Sequence, residues 1–284
     1  MKPQLLTLGT PSAASFSIRN DVKPQQHNNW HYHEELELIH IAKGSGTQFV
    51  GDSINNFEND NMVLLGTNLP HYWLFDEQYL QDNADIRVAH FRENFLGDVF
   101  FNLPENRKLK ELFSKAKQGL LIYGGTRDIL RQLLEKLISA TGASRIIILL
   151  EALNVLATSD EYERLTRSTY EFQNHLGDHD RLNAIIQYAT QHYRNKISLA
   201  ELAQIIGMTE NSFCRFFKSK TGKTPIEFIT ELRIGHASRL LIEQEMPVKQ
   251  ICFESGFQNF VSFHKAFRKI KETTPLMYQK SLKK

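Results

Sequence analysis

The chain has 284 residues, of which 41% are hydrophobic and 23% are charged, and its formal net charge is +2. This length accommodates two domains of ordinary size, and the composition excludes a disordered chain and predicts a water-soluble globular protein. The charge is unevenly distributed, because residues 181–284 carry 17 Lys and Arg against 8 Asp and Glu, whereas residues 1–180 carry 17 against 24. A basic back half joined to an acidic front half predicts that only the back half meets nucleic acid.

Three further features predict a cytoplasmic protein without a membrane partner. The two cysteines, Cys214 and Cys252, both lie in the basic half, so we expect a reducing compartment and no disulfide framework. The N-terminus lacks the basic-then-apolar pattern of a secretory signal. The longest apolar run, residues 146–157, is interrupted by Glu151 and Asn154 and is too short to span a bilayer.

The first hundred residues predict short strands separated by turns. Residues 35–42 alternate with period two, with Leu36 and Leu38 on one face and Glu37 and Ile39 on the other. Apolar residues on both faces are typical of a strand inside a barrel or sandwich, and many short strands at this spacing predict an antiparallel barrel or jelly roll. The other predicted strands cover residues 47–50, 57–65, 71–75 and 86–91.

A group of histidines lies within this strand-rich region. Residues i and i+2 of a strand point the same way, so His31 and His33 can converge on one point. With Glu37 and Gly44 they reproduce the spacing H-x-H-x3-E-x6-G, and His71 follows in Leu-Pro-His-Tyr-Trp. This pattern resembles the cupin motifs, in which a second motif also supplies a histidine, and the resemblance implies a cupin-like β-barrel. Three imidazoles and one carboxylate that converge in this way suit a divalent transition metal.

Three uses of these side chains stay open at this point. They could hydrogen-bond to and stack on a small polar effector such as a carbohydrate, they could bind a divalent metal as the only cofactor, or they could be merely structural. We favour the effector pocket without metal. The predicted effector-binding residues are Trp30, His31, His33, Glu37, His71 and Trp73.

Helices follow the predicted barrel, and then a linker. Residues 101–160 contain leucines at helical spacing, such as Leu109 with Leu112 and Leu130 with Leu134, which predicts helices packed on the barrel. Residues 161–180 are rich in charged and polar residues and predict a linker. We therefore expect three segments before the basic domain, with boundaries 1–100, 101–160 and 161–180.

The back half contains a tandem repeat of one supersecondary unit. Residues 198–275 match themselves at an offset of about 50 residues, which places Phe213 on Phe263 and Phe217 on Phe267. Each copy predicts a helix, a glycine-containing turn and a second helix, which is the pattern of a helix-turn-helix. The sequence therefore predicts an all-α domain with two such motifs.

The predicted helix starts in this domain have clear signals. Ser198 followed by Glu201 has the spacing of a capping box, in which hydroxyl and carboxylate satisfy reciprocal backbone donors. Gly207 allows the positive φ that a tight turn needs. Thr209 and Asn259 are placed to cap the second helix of each copy.

The segments LAELAQIIGMTENSFCRFFKSKTGKTPIEFI and VKQICFESGFQNFVSFHKAFRKIKETTPLMY resemble the DNA-binding domain of the AraC/XylS family of bacterial transcription regulators. The resemblance implies two reading helices in successive major-groove segments of double-stranded DNA, a front domain that senses a small-molecule effector, and a homodimer paired through the helices beside the barrel. An activator of this kind would also contact RNA polymerase. Phe260 and Val261 depart from the family pattern, in which polar residues are more usual at the start of the second reading helix.

Several outward residues of the two reading helices are candidates for contact with DNA. Arg215 pairs two-pronged with guanine and Asn211 with adenine, and Phe260 or Val261 suits thymine methyl groups. His264 and Lys265 are the favoured polar readers of the second helix. Phosphate contacts, which set register and supply salt-dependent affinity, are expected of Lys218, Lys220, Lys223, Arg268, Lys269 and Lys271. The predicted DNA-binding residues are Asn211, Ser212, Cys214, Arg215, Lys218, Lys220, Lys223, Asn259, Phe260, Val261, His264, Lys265 and Arg268.

Taken together, the sequence predicts an α+β multidomain protein with an N-terminal cupin-like β-barrel, flanking helices, and a C-terminal all-α domain with two helix-turn-helix motifs at residues 181–284. We predict a sequence-specific DNA-binding transcription regulator rather than an enzyme, and we favour an activator. The alternative is a metal-dependent cupin enzyme, an oxygenase or isomerase fused to a DNA-binding module. It needs a metal at His31, His33, Glu37 and His71 with an open coordination position for substrate.

Overall fold

The computed structural model describes residues 14–24, 27, 30–79, 83–166, 176–243 and 246–282. The chain divides into two compact units, and the boundary falls between residues 174 and 175. The first unit contains two β-sheets and a group of helices, whereas the described residues of the second unit contain only helices. The predicted order of a strand-rich front half and a helical back half is confirmed.

Antiparallel strands make up most of the first half of the chain. They include residues that were predicted as strands, together with two short strands in segments that were predicted as helix and linker. The strands are β1 Phe16–Asp21, β2 Leu36–Lys43, β3 Gly46–Val50, β4 Ser53–Phe57, β5 Asn61–Leu65, β6 His71–Phe75, β7 Asp85–Phe91, β8 Leu120–Ile122 and β9 Tyr162–Arg164.

The strands form two open sheets. The larger sheet has the order β1-β7-β2-β5-β8-β9 and the smaller one has the order β4-β3-β6. The described strands do not close into a barrel, so the predicted cupin-like β-barrel is not confirmed. The physical reason is that β8 pairs with β5, and β9 pairs with β8, so these late strands extend the larger sheet and leave β1 and β9 as its edges.

The described residues of the first unit also contain four α-helices. The helix α2 buries Leu109 and Leu112, and α3 buries Leu130 and Leu134, in line with the spacing in the sequence. A short 3₁₀ turn, Pro104–Asn106, precedes α2. The α-helices are α1 Asp98–Phe101, α2 Arg107–Ala116, α3 Gly124–Ser139 and α4 Ala143–Ala157.

Strand β2 is buried on both faces, and each face has a different partner. Leu36 and Leu38 belong to a core that the larger sheet shares with helices α2, α3 and α4. Ile39 and Ile41 point to the opposite side and pack between the two sheets, against Trp73 of β6. Each fully buried Leu or Ile contributes about 1.5–3 kcal/mol relative to an exposed one. This two-sided burial explains why the alternating segment is apolar on both faces.

The predicted linker at residues 161–180 differs from the structure at both of its ends. Strand β9 lies inside this range, and the backbone N–H of Thr166 donates to the carbonyl oxygen of Gln118 at 2.9 Å, so residues 162–166 belong to the first unit. The helix that opens the second unit begins at Leu176 rather than at Arg181. Residues 167–175 of the predicted linker lie outside the described residues.

The second unit is built from α-helices. None of the helices among the described residues of the chain combines the length and the apolar character needed to cross a membrane. The helices are α5 Leu176–His192, α6 Leu199–Ile205, α7 Glu210–Thr221, α8 Pro225–Glu243, α9 Val248–Glu254, α10 Phe260–Lys271 and α11 Pro275–Leu282.

The predicted caps are present where the sequence placed them. Ser198 Oγ accepts from the backbone N–H of Glu201 at 3.1 Å, and the N–H of Ser198 donates to Glu201 Oε2 at 2.7 Å, which completes a capping box before α6. The side chains of Thr209 and Asn259 accept the backbone N–H three residues later, at the starts of α7 and α10. The helix pairs α6–α7 and α9–α10 therefore have the boundaries that the repeat predicts.

The two turn glycines of the helix pairs provide a test of the repeat. Gly207 and Gly256 have φ of 65° and 92°, but a Cβ on Gly256 would lie 2.6 Å from the carbonyl oxygen of Tyr193, whereas one on Gly207 meets no described atom within 4 Å. We expect Gly207→Ala to lower the free energy of unfolding by about 1–2 kcal/mol, the cost of left-handed backbone. Gly256→Ala should lower the free energy of unfolding by a larger amount, because the backbone of Tyr193 must move away from the added Cβ. Denaturant unfolding of the full chain, followed by circular dichroism, measures both losses, and equal losses would contradict this expectation.

Candidate functional sites

Five buried side chains of the first unit form what we call the His–Glu cluster: His31, His33, Glu37, His71 and His90. His31 and His33 lie just before β2, and Glu37 lies in β2. His71 begins β6, and His90 lies in β7. His31 and His71 exchange backbone hydrogen bonds of 2.9 and 3.1 Å, which tie the segment before β2 to the smaller sheet. None of the five is more than 5% exposed.

One carboxylate oxygen, Glu37 Oε2, lies at the centre of the cluster. It is 2.9 Å from Nε2 of His33, 2.8 Å from Nε2 of His90 and 3.4 Å from Nε2 of His71. One potential ligand atom from each of His31, His33, Glu37 and His71 lies within 4.8 Å of the others. The structure thus brings together the four residues whose spacing in the sequence resembles the cupin motifs.

Backbone carbonyls fix the tautomers of two of these rings. Nδ1 of His33 lies 2.8 Å from the carbonyl oxygen of Glu35, and Nδ1 of His71 lies 2.8 Å from that of Leu69. A carbonyl only accepts, so both Nδ1 atoms carry the proton. In a neutral ring Nε2 then presents a lone pair to Glu37 rather than a proton. A cation between the rings and the carboxylate would satisfy all of these groups.

Burial and the neighbouring rings set the charges in the cluster. Burial opposes the ionisation of Glu37, but the imidazoles of His90 and His71 and the contact with His33 hold its pKa well below the usual range. Burial lowers the pKa of His71, and it lowers the pKa of His90 to about 4 although Glu37 acts in the opposite direction. At neutral pH His90 is therefore an uncharged ring that donates Nε2–H to Glu37.

Sequence reasoning missed His90. It stands directly opposite Glu37 in the antiparallel register of β2 and β7, so the two side chains share one face of the larger sheet. The signal that could have revealed it is a histidine flanked by Ala89 and Phe91 near the end of a predicted strand. Only the register of the two strands shows that this histidine meets Glu37.

The side chains of the predicted effector pocket are enclosed. Trp30 and Trp73 are 6% and 0% exposed, and the indole N–H of each has no hydrogen-bond partner among the described residues. The ring centroid of Trp73 lies 5.4 Å from that of His71, so this residue borders the cluster. A cavity large enough for a sugar would expose these side chains, so the spacing and burial favour an ion over a sugar-sized ligand.

The donor set fits a divalent transition metal. Imidazole nitrogens and a carboxylate are common ligands of such ions, and metal-binding histidines usually donate their other ring N–H to a carbonyl or carboxylate, as His33 and His71 do. Glu37 Oε1 and His71 Nε2 are buried acceptors without a hydrogen bond within the described residues. His31, His33, Glu37 and His71 are the residues that would hold the ion.

The outward face of α7 is polar and basic. Its inward face buries Phe213 and Phe217 completely, so the opposite side of the helix points away from the core. The predicted contacts Asn211, Arg215 and Lys218 are exposed, and Ser212, Cys214 and Lys220 are partly buried. At 100° per residue, Asn211, Arg215 and Lys218 lie on the side of α7 opposite Phe213 and Phe217, whereas Lys220 lies close to the buried side.

The outward face of α10 combines apolar and basic side chains. Asn259 caps the helix, so its Oδ1 is engaged by the backbone N–H of Ser262 at 2.8 Å. Phe260 is 39% exposed and Val261 is 77% exposed. An open groove of about 660 Å³ is lined by Phe260, Val261, His264, Lys265, Arg268 and Lys269.

Lys223 differs from the other predicted DNA contacts. Its Nζ forms an ion pair with Glu231 of α8, and its side chain is only 21% exposed. Lys271, at the end of α10, is also partly buried, and burial lowers its pKa although Glu231 acts in the opposite direction. The structure therefore places Lys223 in an internal ion pair rather than on the open basic face.

Comparison with known proteins identifies the helical region. Residues 202–281 match a family model described as a helix-turn-helix domain. LumQ of Photobacterium leiognathi, a probable transcriptional regulator, is 34% identical over 102 residues, which are 35% of this chain and 41% of that protein. RclR of Escherichia coli K12, an RCS-specific HTH-type transcriptional activator, is 31% identical over 105 residues, which are 37% of each chain. The match therefore spans about two-fifths of the length of either relative.

Two solved structures show weaker similarity. The DNA-binding domain of AdpA in complex with a target DNA is 26% identical and covers 36% of this chain and 91% of that chain, with a TM-score of 0.34. ToxT of Vibrio cholerae O395, bound to (E)-4-(8-methylnaphthalen-1-yl)but-3-enoic acid, covers 94% of this chain and 98% of that chain, with 14% identity and a TM-score of 0.37. TM-scores this low do not establish a shared fold.

Proposed function

We propose, from the premise that residues 202–281 form a helix-turn-helix domain of the AraC type, that this chain is a transcription regulator that binds double-stranded DNA at specific sequences. The observation that carries the proposal is the repeat itself. Helices α7 and α10 occupy equivalent positions in two helix pairs, and each presents polar or basic side chains to solvent. Two such helices in one chain suit two successive segments of the major groove.

The residues of α7 divide by chemistry into two roles. Arg215 and Asn211 are exposed and suit base edges, because arginine pairs with guanine and asparagine with adenine through two hydrogen bonds. Lys218 lies one turn further along the same face and suits a phosphate. Lys223 receives a different role from the one that the sequence predicted, since its pairing with Glu231 fixes the turn between α7 and α8.

The His–Glu cluster is the proposed sensor of the first unit. When bound, a divalent cation would supply the positive charge that satisfies Glu37 and the surrounding imidazoles at once. Its ligands would be His31, His33, Glu37 and His71, while His90 holds the carboxylate through its Nε2–H. A ligand changes a regulator only if it binds two states of the protein with different affinities, so metal loading should change the affinity for DNA.

The same site supports an enzyme less well. A catalytic metal needs an open coordination position that substrate can reach, whereas all residues of the cluster are at least 95% buried. The curated relatives that match this chain are described as transcriptional regulators. We therefore retain a regulator whose front unit senses an ion, with dimerisation through residues 101–160 and activation of transcription as further parts of the proposal.

Selection of DNA from a random pool tests the proposed function. Full-length protein is used at moderate salt with excess competitor DNA, once with added Zn²⁺ and once with a chelator. We expect an enriched motif with two short fixed blocks about 10 base pairs apart. No enriched motif under either condition, from protein shown to be folded, would contradict sequence-specific binding.

Substitution of Arg215 separates base contact from phosphate contact. We expect Arg215→Ala to weaken binding by about 1–3 kcal/mol and to relax specificity at one position of the site. The matched variant Arg215→Lys keeps the charge but loses the two-pronged geometry, so it should relax specificity at the same position. Binding constants of both variants for a panel of single-base variants of the site measure the loss of affinity and the loss of specificity. A uniform loss across all sequences, rescued by lysine, would make Arg215 a phosphate contact.

Salt dependence distinguishes Lys218 from Lys223. Each phosphate contact contributes close to one unit to the slope of log K against log salt, so Lys218→Ala should reduce the magnitude of that slope by about 1. Lys223→Ala should leave the slope unchanged, because this side chain is paired with Glu231. Titrations at four salt concentrations provide the measurement, and equal slopes for the two variants would refute the distinction.

Metal binding is tested by thermal unfolding. Addition of Zn²⁺, Ni²⁺ or Mn²⁺ should raise the Tm of the wild-type chain, since an ion that binds only the folded state stabilises it. The His71→Gln variant should lose this response. The His40→Gln variant is the control, because His40 is equally buried but faces the opposite side of β2 and bonds to Asp60. The absence of any wild-type response, or an equal response in all three proteins, would count against a metal site.

A further inference from the structure

The two helices proposed to read DNA differ most at their first turns. At the offset of 50 residues, Glu210 and Asn211 of α7 correspond to Phe260 and Val261 of α10. The buried Phe213 and Phe263 that follow are equivalent, and both are 0% exposed. The two first turns are therefore presented in the same way, but one offers hydrogen-bonding groups and the other offers an apolar surface.

The apolar surface of α10 is fixed in place and uncovered. Val261 is 77% exposed, and Phe260 is 39% exposed with its ring 6.0 Å from Phe263 and 5.9 Å from His264. The neighbouring polar group that could have reached a base edge, the side chain of Asn259, is engaged in capping the helix. The start of α10 therefore presents methyl groups and an aromatic edge to its partner.

The surroundings of this surface favour a nucleic acid over a protein as the partner. Lys265, Arg268 and Lys269 line the same groove, and none of the described residues that line it is acidic. An apolar spot within a basic groove matches the major groove, where thymine presents a C5-methyl group between two phosphate backbones. A protein partner would have to present an apolar centre surrounded by acidic side chains to fit this surface. The first turn of α7, at the equivalent position of the repeat, has no such apolar surface.

We infer that Phe260 and Val261 read thymine by its C5-methyl group, so that the two blocks of the DNA site are recognised by different chemistry. This inference rests on the proposed DNA-binding function. The block read by α10 should contain thymines whose methyl groups contact these two side chains, whereas α7 reads hydrogen-bonding edges. Because 5-methylcytosine carries the same methyl group in the groove, the contact also accepts that base better than cytosine.

Uracil substitution tests the inference without changing the protein. The motif recovered by selection is synthesised with deoxyuridine in place of thymine in one block at a time, which removes a methyl group and leaves base pairing intact. The block read by α7 is identified as the one that Arg215→Ala relaxes, and the other belongs to α10. We expect uracil in the α10 block to weaken binding roughly fourfold per contacted methyl, the ratio for one buried methyl group, and uracil in the α7 block to have no such effect.

Two exposed-site variants complete the test. Val261→Ala changes a side chain that is 77% exposed, so this protein should keep the wild-type Tm. Phe260→Ala also removes ring contacts with Phe263 and His264 and is compared at a temperature at which it is shown to be folded. Both variants should lose the difference between thymine and uracil that the wild type shows. Asn211→Ala, at the position equivalent to Val261, should keep that difference. A motif without thymine in the α10 block, or one that binds equally well with uracil, would overturn the inference while leaving sequence-specific binding intact. Variants that bind all DNA as the wild type does would instead identify this surface as a protein contact and also overturn it.

Discussion

The front unit depends on the burial of one carboxylate. Glu37 is 1% exposed, and an ionised carboxylate removed from water costs several kcal/mol unless charges and hydrogen bonds compensate it. The hydrogen bond from His90 Nε2–H on β7 supplies part of this compensation, and a cation held between Glu37, His33 before β2 and His71 on β6 would supply the rest. The cluster therefore joins the larger sheet, the smaller sheet and the segment before β2 at one point.

This compensation also requires one particular register of the larger sheet. Glu37 stands opposite His90 only when β2 and β7 pair as they do here. A slip by one residue would turn Glu37 toward the helices α2 to α4 and would move Leu38 into the cluster, because side chains alternate between the faces of a strand. The apolar packing on both faces of β2 and the hydrogen bond from His90 to Glu37 thus select the same register.

The second unit has its own organising element, the helix α8. Arg233 in its middle donates to the carbonyl oxygens of Tyr193 and Asn195 at 2.7 and 2.9 Å, which ties α8 to the end of α5. Glu231, half a turn earlier, pairs with Lys223 after the first helix pair and favours the charged form of Lys271 at the end of α10. Helix α8 also shares a buried core with α9 and α10, so both helix pairs contact it, and the proposed reading of two groove segments relies on it to set their spacing.

The sequence by itself determined the features that depend on neighbours along the chain. The repeat, the capping box at Ser198 and the caps at Thr209 and Asn259 are confirmed, because each involves groups within three or four residues of one another. Only the tertiary structure decided that the strands form two open sheets, that His90 meets Glu37, and that Lys223 is paired internally. These features join residues that are distant in sequence, and the free energy that selects them comes from burial and charge pairing in the folded chain rather than from any local pattern.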